Sequence, residues 1–183
     1  MAQVLADAPW AERRRRTLEL RGRHAFAAEL LDFYGAVLSV QERAFDEAIS
    51  IRPPAQHLIA YVAEMVVPAV AEVSVACGPA KLREEVATRM DSGDPREIVA
   101  AWIGGEEQPV VERYIARAAL GPVLEALGPE AAASCIGTRD RLHCPGCGGT
   151  PQLSYFALAG EDLAAGGRFL CCARCHGTWG FPE

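Results

Sequence analysis

The sequence predicts a mainly α protein. A multi-helix N-terminal domain over residues 1–138 is followed by a small rubredoxin- or zinc-ribbon-like β metal module over residues 139–183. Three observations carry this reading. From Asp7 to about Ser134, apolar residues recur at three- and four-residue spacing in stretches punctuated by Pro and Gly. Near Thr138 the text changes to Cys, Gly, His and short runs suited to strands. Within that second part lie two Cys-x-x-Cys pairs.

Asp7, with Pro9 two residues on, suits the start of the first helix. Phe26, Leu30, Tyr34 and Leu38 follow at intervals of four and predict one buried face of a long helix, which Gly22 and Gly35 weaken and could divide. Pro53-Pro54 closes that element, because the residue before a proline is pushed out of the helical region. Leu58, Val62, Met65 and Val66 mark the next helix, which Pro68 is expected to kink or break.

Gly78-Pro79 is a stop and restart, and Leu82, Val86 and Met90 form the next stripe. Asp94-Pro95 opens a short helix bearing Ile98, Ala101 and Trp102, and Gly104-Gly105 ends it. Pro109 starts another, with Val111, Ile115, Ala118 and Ala119 inward; Leu120, Val123, Leu124 and Leu127 extend its apolar face past Gly121-Pro122. That makes six or seven helices, with no strand before residue 150. Beyond it, Leu153–Leu158 and Arg168–Cys171 read as two strands joined by a loop containing Gly160, Gly166 and Gly167.

The composition is that of an ordinary globule: half hydrophobic, 23% charged, over 183 residues. Net charge is −6, from 18 Lys and Arg against 24 Asp and Glu, whereas a non-specific nucleic-acid binder carries a basic surplus. The most apolar run, Leu58–Ala76, is interrupted by Glu64, Pro68 and Glu72, so no membrane span is expected. The N-terminal residues lack the apolar core of an export signal, so the reading is a cytoplasmic protein.

Five of the seven cysteines fall after residue 140, a local cluster rather than a framework for the whole chain. Cys144 and Cys147, then Cys172 and Cys175, each put two thiolates on a tight knuckle. Two such knuckles supply the four ligands of a tetrahedral site for one zinc or iron ion. Gly148 after the first pair suits the positive φ such a turn needs, and His176 holds the equivalent place in the second. The bland counterpart is a closed ion that only holds the module together. A dithiol redox pair is the other alternative, but a thioredoxin-like CxxC follows a strand at a helix N-terminus, and that context is missing.

Cys171 is expected to end a strand with its side chain turned away, and Cys77 and Cys135 to be small buried hydrophobes. Trp10 and Trp102 are expected in the core. His143 and His176 flank the ligands, with a solvated supporting role as the plain reading; His24 and His57 have no ligand spacing. Arg13–Arg16 reads as a solvated face, with a docking patch as the sharper alternative. No phosphate loop, dinucleotide fingerprint, HExxH or nucleophile elbow occurs, so no catalytic residue is nominated and the chain is not expected to be an enzyme.

The text Cys144-Pro-Gly-Cys147-Gly-Gly-Thr-Pro151, with Arg168–Cys175 and Thr178-Trp179, resembles the first metal module of the formate dehydrogenase accessory protein (FdhE) family. The Arg-rich start leading through Arg23-His-Ala-Phe26 to Leu30-Leu-Asp-Phe-Tyr34 and Gln41 is similar to the same family. The chain would be a shortened member with one CxxC…CxxC module and Ala25 in place of the family's proline. The resemblance implies a helical domain followed by a rubredoxin-like module whose Cys144, Cys147, Cys172 and Cys175 ligate iron or zinc. It further implies a cytoplasmic assembly chaperone that binds the catalytic subunit of a respiratory formate dehydrogenase before export. The rival readings are a zinc-ribbon adaptor for nucleic acid or transcription machinery, against which the balanced charges of the ribbon region speak, and a thiol redox protein.

Overall fold

In the computed structural model, residues 8–156 and 167–181 are described. Helices α1 (Ala8–Arg23), α2 (Ala28–Ile51), α3 (Leu58–Tyr61), α4 (Val67–Cys77), α5 (Ala80–Ser92), α6 (Pro95–Gly104), α7 (Val110–Leu127) and α8 (Pro129–Ala133) precede strands β1 (Pro151–Phe156), β2 (Arg168–Cys172) and β3 (Thr178–Gly180). The strands form one antiparallel sheet in the order β1-β2-β3. A mainly α body with a small β module is thus present as expected, with β3 as an additional strand. The expected cap at Asp7, the strand end at Ala157 and Leu158, and the loop glycines Gly160 and Gly166 lie outside the described residues.

Helix α7 is the axis of the body. Ile115, Ala116 and the run from Ala118 to Leu124 are all buried, with α2, α4, α5 and α6 packed around them. Pro122 sits inside this helix without breaking it. A proline lacks the N–H that would bond the carbonyl four residues back. That carbonyl belongs to Ala118, and Gln41 of α2 donates its Nε2 to it at 3.0 Å. Pro68 is accommodated differently. The π-helical turn Val62–Val66 joins α3 to α4, and α4 begins with Pro68 in its first turn, where its missing N–H matters least.

Helix α2 departs from the expected stripe. Leu38 is buried, but Phe26, Leu30 and Tyr34 are 92%, 59% and 43% exposed. The break falls at a 3-10 turn, Ala25–Ala27, rather than at Gly22 or Gly35. After it the inward face runs through Phe33, Val37, Val40, Ala44 and Ala48, one residue away from the stripe. Arg52 then closes α2 in the left-handed conformation ahead of Pro53. In the next helix Met65 is likewise exposed, while Val62, Val66, Val67 and Val70 are fully buried.

Among the described residues one helical stretch, Ala55–Cys77, is long and apolar enough to cross a membrane by length and composition alone. Half of it is buried inside the fold, where its valines form the centre of the core. Side chains lock the helices together. Ser74 bridges the Val70 carbonyl and the Tyr114 hydroxyl, Arg89 pairs with Glu112 at 2.6 Å, and Asp94 caps α6 by accepting from the Arg96 N–H at 2.8 Å. The core does not stop at the helices. Cys135, Cys144, Cys147 and Cys172 belong to the same buried cluster as Ala131, Ala132 and the α7 residues.

Candidate metal centre

The two knuckles are built alike. In the first, the Cys144 N–H donates to the Gly149 carbonyl at 2.9 Å; in the second, the Cys172 N–H donates to the Gly177 carbonyl at 2.9 Å. Each turn closes through a left-handed residue just after its second cysteine, Gly148 at φ 68° and His176 at φ 58°. Backbone amides then point at sulfur. Gly149 N–H donates to Cys147 Sγ at 3.4 Å and Arg174 N–H to Cys172 Sγ at 3.3 Å.

The sulfurs of Cys144, Cys147, Cys172 and Cys175 all lie within 4.8 Å of one another, with Cys147 and Cys172 3.3 Å apart and Cys144 and Cys175 3.6 Å apart. Thiolates around one tetrahedral ion bonded at about 2.3 Å would be roughly 3.8 Å apart, so the donor set fits a single ion. Three of the four cysteines are buried and Cys175 is half-buried. Hydrogen bonding between the crowded thiols, chiefly with Cys172, pushes Cys147 up to about 12, and the same contact lowers Cys172 to about 2. Cys175 is raised, first by its contact with Cys147. Four thiolates crowded this closely repel one another, and a cation among them would offset that repulsion.

The remaining cysteines separate by position. Cys171 lies in β2, half-buried, with Gln152 Nε2 3.5 Å from its sulfur and outside the four-sulfur cluster. Strand β2 runs one residue beyond it, to Cys172. Cys135 is buried, and burial pushes its thiol up. Cys77, expected inside, is exposed: it is the last residue of α4. Trp10 is in the core as expected, and Trp102 is partly buried against it.

His143 serves the turn before the first knuckle. Asp140 accepts from the Leu142 and His143 amides and from the His143 ring at 2.7 Å, and the ring contact above all holds the Asp140 carboxyl low. His176 instead reaches the helical body, its Nδ1 3.2 Å from Glu125 Oε2 on α7. Glu125 also accepts from Arg13 at 2.8 Å, so α1, α7 and the second knuckle meet on one carboxylate. The rest of the Arg13–Arg16 run is paired as well: Arg14 with Glu42, Arg15 with Glu12, Arg16 with Glu19.

Sequence reasoning missed Arg174. Its buried guanidinium donates to the carbonyls of Ile136 and Cys147, both at 2.9 Å, tying the segment after α8 to the first knuckle. Only its place between two ligand cysteines could have signalled it. Gly137 was missed too: its backbone presses against Gly148, where an added Cβ would come within 2.6 Å.

Between α2, α7 and the metal module runs a groove of about 850 Å³. Leu30, Tyr34 and Val110 line it from the helices, and Gln152, Cys171 and His176 from the module. No family model, curated protein or solved structure matches the chain. The four cysteines support a metal-binding role on their own geometry.

Proposed function

We propose that the protein is a metal-binding accessory protein, without catalysis of its own, that holds the catalytic subunit of a formate dehydrogenase during cytoplasmic maturation. The observation that carries this reading is the groove, because one of its walls belongs to the helical body and the other to the metal module. A client seated there would touch both, so its binding would depend on the metal being in place. The resemblance of the Cys144–Pro151 and Arg168–Trp179 text to the accessory family supplies the client's identity. The ion, zinc or iron, is held by Cys144, Cys147, Cys172 and Cys175 and acts as a cross-link, since four thiolates leave no open coordination position for a substrate.

The nucleic-acid adaptor is the weaker reading. Arg139 donates to the Cys135 carbonyl and Arg174 to two more carbonyls, while Arg168 donates to Ser154 and lies over the Phe181 ring. These ribbon arginines are engaged within the fold rather than arrayed for phosphates.

The test is capture of the formate dehydrogenase catalytic polypeptide from the same cell by the tagged, metal-loaded chain, beside Cys147→Ser and Leu30→Asp. Capture by the wild type that is lost in both variants is expected. No capture by the metal-loaded wild type would overturn the assignment.

A further inference from the structure

The apolar residues lining the groove are accompanied by three arginines, of which Arg13 is paired with Glu125. Arg113 and Arg117 are exposed on α7, one helical turn apart, and both line the groove. Among the described residues neither has a carboxylate within ion-pair distance, whereas every arginine of the Arg13–Arg16 run does. Across the groove from them, Leu30 and Tyr34 are one turn apart on α2, and Phe26 continues the exposed stripe.

Resting on the reading that the groove receives a client polypeptide, we propose that the segment it takes is an acidic amphipathic helix. Leu30, Tyr34 and Val110 offer an apolar bed for side chains recurring at three and four residues, the helix-in-groove mode. Arg113 and Arg117, four residues apart, are separated by about 6 Å along their helix axis. Two carboxylates one turn apart on the incoming helix have the same separation, so each meets a guanidinium without distortion. The chain as a whole carries −6, so an acidic segment is repelled over most of the surface and attracted at this wall. Charge thereby sets where the segment docks, and the apolar bed holds it.

The experiment is selection of random displayed peptides on the intact chain, wild type beside Arg113→Glu/Arg117→Glu. Both substitutions are on exposed side chains and leave the core untouched. Peptides selected on the wild type should show apolar residues three and four apart, with Asp and Glu enriched at least about threefold over Lys and Arg. On the double variant the preference should reverse, and Leu30→Asp should lose binders of either charge. No selected peptides, no acidic preference, or the same preference on the double variant would each overturn the inference. The client is judged separately. Acidic helices selected on a chain that fails to capture the formate dehydrogenase polypeptide would sink that client and leave the groove chemistry standing.

Discussion

The imidazole of His176 lies directly against Gly121 of α7, where an added Cβ would come within 2.9 Å of its Cε1. The second knuckle therefore docks on the central helix at a position that must lack a side chain. Gly121→Ala should raise the helix propensity of α7 by about 1 kcal/mol while displacing His176 from Glu125. Thermal unfolding followed by far-ultraviolet circular dichroism should show little loss, yet metal transfer to a chelator should speed up several-fold, about 1 kcal/mol in barrier. Unchanged transfer would mean that the knuckle does not need this seat.

Gln41 repairs the helix at Pro122. The Ala118 carbonyl lacks its usual partner four residues on because Pro122 carries no N–H, and Gln41 donates to it from α2. Gln41→Ala should destabilise the protein by about 1–2 kcal/mol in urea unfolding. In a Pro122→Ala background, where the helix regains its own donor, the same substitution should matter less, and that coupling is what a double-mutant cycle reads.

Arg174 joins the connection at Ile136 to the first knuckle at Cys147. Truncation to Ala leaves both carbonyls without a donor in a buried place and should cost about 3 kcal/mol. Both bonds come from Nη1, and a lysine ammonium ends about one bond short of that atom, so Arg174→Lys should recover only part of the loss. Chemical denaturation of the metal-loaded protein measures both.

Glu125 gives the fold an acid-side limit. Burial raises its carboxyl, but hydrogen bonds from His176 and Arg13 outweigh burial and hold it below its ordinary value of 4.5. A carboxylate depressed in the folded state contributes stability above its unfolded value, and that contribution is lost as pH falls through the folded value. The difference in stability between wild type and Glu125→Gln should therefore shrink as the pH falls below about 5. A difference independent of pH would show that the carboxylate's charge contributes nothing.

The four-cysteine cluster was legible because Cys-x-x-Cys is a local pattern: each pair of thiols shares one knuckle, and two such pairs suit one ion. Helix ends were legible for the same reason, as at Asp94-Pro95 and Arg52-Pro53, where one residue's backbone preference decides the outcome. The direction in which helices face was less so. A stripe of Phe26, Leu30, Tyr34 and Leu38 looks like an inward face, but the 3-10 turn at Ala25–Ala27 sets the phase of α2, and no single residue announces it. Glu125, His176 and Arg13 are separated by 51 and 112 residues, so no reading along the chain could join them. Cys77 looked like a buried thiol by residue type alone, and its place at the end of α4 decided otherwise.

The central claim is that one ion held by four thiolates joins the module's two knuckles, which pack into the core of the helical body. Elemental analysis of the full chain purified under reducing conditions tests it, with Cys147→Ser and Cys171→Ser alongside. One zinc or iron per chain in the wild type and Cys171→Ser, none in Cys147→Ser, and a lower melting temperature of the helices in Cys147→Ser are predicted, because Cys147 lies in the same core as α7. A wild type without metal, or Cys147→Ser with a full complement, would contradict the account.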